Sequence, residues 1–72
     1  MIIDKEPIFN SVENSFTVSN NVDGNSDITI FINGIIELIE DSVESVDGNT
    51  IYLISNIELD PDDEYSIIFN EI

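Results

Sequence analysis

The sequence contains no cysteine, no histidine and no arginine, and its single basic side chain is Lys5. Without cysteine the chain forms neither a disulfide nor a thiolate metal site. Without histidine it lacks both the commonest transition-metal ligand and the commonest general base. A chain of 72 residues also leaves little room for the kind of cleft in which paired carboxylates perform acid–base chemistry. We therefore expect no enzymatic activity, no catalytic residues and no cofactor.

Positive charge is almost absent, and 16 acidic residues give a formal net charge of −15. Binding to nucleic acid requires cations that displace the counterions of the phosphates, so this charge excludes DNA and RNA as direct partners. The same argument excludes an anionic membrane surface. No apolar run reaches the length of a membrane span, and residues 1–4 lack the features of a signal peptide. We expect a protein that is made and used without crossing a membrane by itself.

Hydrophobic residues nevertheless make up 42% of the chain, which is too much for a disordered acidic tail. A domain of this size buries only about 60% of the surface that its unfolded chain exposes. Small domains usually compensate with disulfides, a metal or a partner. Since the first is impossible here and the second is poorly supported, association with another molecule is the expected source of additional stability.

The strongest local pattern is Asn33-Gly34 between two apolar segments, which predicts a β-hairpin with a type I′ turn, because both residues tolerate positive φ. A two-residue loop predicts that Phe31 pairs with Ile36 and Ile30 with Glu37. Alternation predicts one face with Ile28, Ile30, Ile32, Ile35, Glu37 and Ile39, and another with Thr29, Phe31, Ile36 and Leu38. Because both faces are largely apolar, the hairpin lies either at the centre of a sandwich or against another protein.

The rest of the chain consists of short segments rich in β-branched residues, with no sustained helical period of about 3.6 residues. Asp47-Gly48 predicts a second hairpin, with Asn49 extending it to a three-residue loop, and Asp60-Pro61 predicts a turn. Further strands are expected at 15–19, 42–46, 50–54, 57–59 and 64–70, and in the last of these Tyr65, Ile67 and Phe69 should share one face. The predicted fold is all-β, either a small antiparallel β-sandwich or a partly open barrel of six to seven short strands. Residues 15–72 would form this single domain, preceded by an N-terminal arm or edge strand over residues 1–14.

Calcium is the only metal worth considering, because the acidic turns provide the oxygen ligands that it binds. Asp60, Asp62, Asp63 and Glu64 are closely spaced carboxylates, and the Asp-Gly-Asn triplet at 23–25 resembles a fragment of a metal-binding loop, as does that at 47–49. None of them follows the EF-hand spacing, and such turns are ordinary in β proteins. We therefore predict no metal site, and calorimetry with calcium would test this.

Three segments of the chain, at residues 30–36, 47–53 and 59–67, carry a resemblance to a known family. The first segment predicts a hydrophobic hairpin with an Asn-Gly turn, and the second a Gly-containing turn followed by a strand that begins Thr-Ile. The third predicts an acidic turn followed by the last strand. Residues 27–69 thereby resemble a β-rich module that recurs in tailed-bacteriophage virion proteins. Two features differ. The module often has glycine before the final acidic turn, where this chain has Pro61-Asp62, and it usually lies within a long fibre protein.

The resemblance implies a structural role in the virion and no catalytic residues. We expect an auxiliary or decoration subunit, present in virions assembled in the host cytoplasm, that docks on the capsid or on neighbouring virion proteins. The major capsid protein is the foremost expected partner. The predicted partner-binding residues are the apolar side chains of the arm and of the hairpin, namely Ile2, Ile3, Ile8, Phe9, Phe31, Ile36 and Leu38.

The sequence leaves open two alternatives to an auxiliary or decoration subunit. A small, strongly acidic protein can mimic nucleic acid and inhibit a protein with a basic channel, as anti-defence inhibitors do. The chain could also be a fibre or neck module that forms a closed homo-oligomer. High copy number in purified particles would favour the structural role, presence only in infected-cell lysate would favour the inhibitor, and native mass spectrometry would reveal an oligomer.

Overall fold

The computed structural model describes the backbone of residues 1–38 and 42–72, and the side chains of residues 1–35 and 42–72. The predicted pairing of Ile28 with Ile39 therefore lies outside the described residues. The described part of the chain forms eight strands, which are β1 (Ile2–Asp4), β2 (Ile8–Asn10), β3 (Ser15–Thr17), β4 (Thr29–Ile32), β5 (Ile35–Leu38), β6 (Val43–Asp47), β7 (Thr50–Leu53) and β8 (Tyr65–Phe69).

These strands form two four-stranded sheets, and every pairing is antiparallel. The strand order is β1-β8-β4-β5 in the first sheet and β2-β3-β7-β6 in the second. The predicted all-β fold is confirmed. Because the two sheets do not close on each other, the architecture is the sandwich rather than the partly open barrel. In the described residues there is no helix long and apolar enough to cross a membrane.

The N-terminal residues 1–14 contribute two of the strands. β1 forms an edge of the first sheet and β2 an edge of the second, so the chain crosses between sheets within the short segment that contains Pro7. This pair brings the strand count above the six or seven expected. Residues 57–59 were expected to form a strand and do not, although Ile57 and Leu59 still pack against the core from an irregular segment.

The hairpin of β4 and β5 has the predicted turn, with φ of 53° at Asn33 and 83° at Gly34. Phe31 pairs with Ile36 as expected. Beyond that pair the predicted register is wrong, because Ile30 pairs with Leu38 rather than with Glu37. The shift marks a β-bulge, in which one strand carries an extra residue and the alternation of faces is interrupted.

The hairpin of β6 and β7 has a shorter loop than the sequence predicted. Asp47 pairs with Thr50, which leaves a two-residue loop of Gly48 and Asn49 instead of three residues. Gly48 has φ of 60°, the positive value that a type II′ turn requires at its first central position. Glycine adopts this conformation without the steric cost that a Cβ would add.

The core lies between the inner faces of the two sheets and draws evenly on both. Its fully buried side chains include Phe16 and Ile51 from the second sheet and Ile30, Ile67 and Phe69 from the first. Tyr65, Ile67 and Phe69 were expected to share one face of a strand, and this is confirmed because all three are buried.

An aromatic cluster joins the two sheets at one end of the core. The ring centroid of Phe16 lies 4.9 Å from that of Phe9 and 5.1 Å from that of Tyr65. The Phe16 and Tyr65 rings meet edge to face, one of the arrangements that aromatic pairs favour. Within the described residues, every buried side-chain nitrogen or oxygen has a hydrogen-bond partner.

Candidate docking surface

The outward-facing side of the first sheet carries apolar side chains on three adjacent strands. Ile3 of β1 pairs with Ile68 of β8, and Phe31 of β4 pairs with Ser66 of the same strand. Their apolar neighbours along the strands belong to the core or pack against it, so alternation turns these side chains outward; these neighbours are Ile2, Ile30, Ile32, Ile67 and Phe69. Ile3 is 56% exposed, and Phe31 and Ile68 are partly exposed. We call Ile3, Phe31 and Ile68 the apolar face.

The outward-facing side of the second sheet has one strongly exposed apolar side chain, Ile8 on the edge strand β2, and is more polar on the other three strands. Thr17 of β3 pairs with Thr50 of β7, which in turn pairs with Asp47 of β6. In the adjacent row Tyr52 pairs with Ser45. Antiparallel sheets often have one core-facing side and one polar, solvated side, and these rows of β3, β7 and β6 follow this pattern.

The structure separates the seven predicted partner-binding residues. It brings Ile3 and Phe31 onto the apolar face and places Ile8 on the outer side of the second sheet, 69% exposed. Ile2 and Phe9 pack against the core. The side chains of the remaining two, Ile36 and Leu38, lie outside the described residues.

Sequence reasoning missed Ile68 as a member of the apolar face. A sufficient pattern was present in the sequence, because Tyr65, Ile67 and Phe69 were expected to share the inner face of one strand. The residue between the last two must then point to the other side. The structure bears this out, since Ile68 is partly exposed while both neighbours are fully buried.

An acidic segment, residues 58–64, is fixed beside the tip of the β4–β5 hairpin. It contains five carboxylates, those of Glu58, Asp60, Asp62, Asp63 and Glu64. The Asn33 amide donates a hydrogen bond to the Glu64 carbonyl (2.8 Å), and the Glu64 amide donates one to Asn33 Oδ1 (3.0 Å). Asn33 Nδ2 donates to Asp63 Oδ1 at 3.4 Å. Asn33 of the hairpin turn thus holds the acidic segment through both its own backbone and its own side chain.

Within the acidic segment, Asp60 organises the turn. Its Oδ1 accepts a hydrogen bond from the Asp62 amide at 2.9 Å, and its carbonyl accepts one from the Asp63 amide at 3.2 Å. The same carbonyl accepts a hydrogen bond from the Tyr65 hydroxyl. Burial raises the pKa of Tyr65 above its usual value, and the negative charges of Asp63 and Asp60 raise it further. The hydroxyl therefore keeps its proton and remains a donor at neutral pH.

A groove of about 640 Å³ lies between the β1–β2 connection and the acidic segment. Ile3 and Ser66 line it, so the groove is continuous with the apolar face. Its remaining lining residues, which mix apolar and charged side chains, are Lys5, Glu6, Pro7, Phe9, Gly34, Pro61, Asp63, Glu64 and Tyr65. We call this feature the acidic groove.

The side chains at this surface are suited to recognition of another molecule. An apolar patch with a polar margin is typical of a protein–protein contact. The described residues contain no group of three or more side chains that could hold a metal ion. No family model matches the chain, and comparison with curated proteins and with solved structures gives no match either.

Proposed function

We propose that this protein is a small accessory subunit of a bacteriophage virion, which docks on another virion protein through its apolar face. The observation that carries the proposal is the outward position of Ile3, Phe31 and Ile68 on three adjacent strands of one sheet. The resemblance of residues 27–69 to a module of phage virion proteins supplies the virion as the context. The major capsid protein is the foremost candidate partner.

Burial of the apolar face supplies the affinity in this proposal. Removing a large aliphatic or aromatic side chain from water contributes about 1.5–3 kcal/mol when burial is complete. Phe31 and Ile68 are already partly covered, so each gains less than this, whereas Ile3 has more surface to lose. Such a contact is modest for a single copy. High occupancy of a shell then requires a concentration of free protein well above the dissociation constant of a single site.

Two aromatic residues give a matched test of this docking face. Phe31 and Tyr52 are both partly exposed, and both lie on inner strands with their side chains on the outer side of a sheet, the first and the second respectively. We expect Phe31→Thr to weaken binding to the particle by about tenfold or more, which corresponds to about 1.4 kcal/mol, and so to lower the occupancy of purified particles. We expect Tyr52→Thr to leave the occupancy unchanged. Quantitative mass spectrometry of particles gives the occupancy, and thermal unfolding of both variants checks that they fold.

Equal occupancy for the two variants would contradict docking through the apolar face. A wild-type protein that is abundant in infected-cell lysate but absent from particles would contradict the virion role altogether. That second result would favour the acidic inhibitor, whose target would be a basic nucleic-acid channel.

A further inference from the structure

The acidic groove combines two kinds of surface that a single long side chain can satisfy. Its walls include Ile3, Pro7 and Pro61, and the carboxylates of Glu6 and Glu64 also line it. Lysine and arginine have this dual character, because an aliphatic stem packs on apolar surface while the charged head stays with polar groups. An acidic or purely apolar side chain would satisfy only one of the two surfaces, or neither.

The charge balance of the groove also favours a cation. Three acidic residues, Glu6, Asp63 and Glu64, line it together with a single basic residue, Lys5. Phe9 and Tyr65 line the groove as well and add to the apolar surface on which the stem of a lysine or arginine side chain can pack.

One wall of the groove is held in place before any partner arrives. The backbone and side-chain hydrogen bonds of Asn33 fix Asp63 and Glu64 beside Gly34. The edge-strand side is fixed too, because Asp4 accepts hydrogen bonds from the amides of Glu6 and Ser19, both at 2.9 Å. A preformed site binds more tightly than one that must be ordered on contact.

A second copy of this chain is a poor occupant. Each copy has a net charge of −15 and offers one lysine and no arginine, so two copies repel each other as they approach. A partner with basic residues is attracted by the same field.

We infer that the acidic groove receives an arginine or lysine side chain of the partner protein, from a segment whose neighbouring apolar residues cover Ile3, Phe31 and Ile68. The inference rests on the proposed docking function and specifies the chemistry of the partner's contact surface. The apolar face supplies most of the buried area, and the groove fixes the position of the partner along the sheet.

Titration with a short peptide tests the inference directly. The probe is acetyl-Ile-Arg-Ile-amide, and the control peptide has neutral citrulline in place of arginine. In a ¹H–¹⁵N spectrum of the full chain at low salt, we expect the arginine peptide to shift the amides of Lys5, Gly34 and Ser66 most strongly. We expect the citrulline peptide to bind several-fold more weakly. Equal binding of both peptides, or shifts of similar size around Asp23 and Asp47, would overturn the inference.

A pair of double variants separates the groove from the general negative charge. Glu6→Gln with Glu64→Gln removes two carboxylates that line the groove, and Glu44→Gln with Asp47→Asn removes two exposed carboxylates from the second sheet. Both variants therefore have the same net charge. We expect the first to weaken binding of the arginine peptide by about fivefold or more, as loss of charge-assisted contacts predicts. The second should have a much smaller effect, and equal effects would overturn the inference.

Particle occupancy of the same variants distinguishes this inference from the docking function. If Phe31→Thr abolishes occupancy and the Glu6/Glu64 variant keeps it, docking stands and the groove has no part in it. If the arginine peptide binds in the groove but wild-type protein is absent from particles, the virion role fails while the preference for a basic side chain is supported.

Discussion

On the first sheet the outward apolar residues Ile3, Phe31 and Ile68 lie on three adjacent strands, whereas on the second sheet the exposed Ile8 lies on the edge strand and its row continues with the polar Thr17 and Thr50. The inner sides of the two sheets show no such contrast, since each supplies large, fully buried side chains to one core. Stability of the fold requires only the inner sides. The proposed docking function rests on the apolar residues at the outer side of the first sheet, which do not belong to the core between the sheets.

The contrast extends to the ends of the hairpins. The turn at Asn33-Gly34 in the first sheet is bonded to the acidic segment, and it borders the acidic groove. In the turn of the second sheet, the carbonyls of Asn49 and Gly48 accept hydrogen bonds from the amides of Val18 and Val22, respectively. Both valines are core residues. One turn therefore organises a surface, and the other mainly supports the fold.

The largest effect is expected for substitutions in the core, which test whether the inner sides of the two sheets contribute equally to stability. Phe16 of the second sheet and Phe69 of the first are both fully buried. We expect alanine at either position to lower the free energy of unfolding by about 3–5 kcal/mol, through lost burial and a residual cavity. Urea denaturation measures the change. Val12, which is 93% exposed, provides the control, since Val12→Ala should change the free energy by less than about 0.5 kcal/mol. A severe loss at one phenylalanine only would show that the sheets do not share one core.

A smaller effect is expected at the turn that distinguishes the first sheet. Asn33→Ala should lower the free energy of unfolding by about 2–3 kcal/mol, because alanine is strained at φ of 53° and the Glu64 amide loses its side-chain acceptor. Asn33→Gly removes the same acceptor without the backbone strain, so it should cost about 1 kcal/mol less. Urea denaturation of both variants separates the two contributions. Equal stability of the two would mean that the strain is relieved by a change of turn.

The smallest effect concerns the link between the core and the acidic segment. The folded-state pKa of Tyr65 is raised above its unfolded value of 10.0, so its stabilising contribution is fully present below pH 10 and is lost as the pH rises through the folded pKa. Tyr65→Phe should remove this fall in stability at alkaline pH. It also removes the hydrogen bond to the Asp60 carbonyl, and that loss should lower the free energy of unfolding by about 0.5–1.5 kcal/mol at neutral pH. Chemical denaturation between pH 8 and 11 measures both.

Tyr52→Phe is the matched control for that experiment. It removes a tyrosine hydroxyl from the outer side of the second sheet and leaves the contact with Asp60 intact. We expect this variant to keep the alkaline fall in stability of the wild-type protein. If Tyr65→Phe shows the same fall, the charge of the acidic segment rather than the tyrosine is responsible.

Much of the fold could be predicted because its determinants are local. Positive φ at Asn33 and Gly34 follows from the chemistry of those two residues, and the inner face of β8 follows from strict alternation. The bulge between Ile30 and Phe31 could not be predicted, because a pattern of period two carries no mark of an inserted residue. That bulge is why the second half of the hairpin pairs differently from the expectation.

The roles of Ile2 and Phe9 depended on contacts between distant parts of the chain. β1 pairs with β8 at the far end of the sequence, and β2 enters the other sheet, so two similar apolar segments are divided between the sheets. No local pattern specifies such a division, since strand pairing at long range is decided by the assembled core. For the same reason Ile3 and Phe31 could be proposed individually, but not as neighbours on one face.

The adjacency of β1 and β8 has a practical consequence for protein engineering. Ile2 lies opposite Phe69, whereas the Asn33-Gly34 turn lies at the other end of the same sheet, beyond Tyr65. A short linker between β1 and β8, with new termini opened at the exposed Ser55-Asn56 turn, would therefore give a circular permutant that keeps the pairing of these two strands. A fluorophore or immobilisation tag attached beside β1 or β8 would therefore lie close to Ile3 and Ile68 of the apolar face, so binding measurements need a label on the outer side of the second sheet, for example at the exposed Glu44.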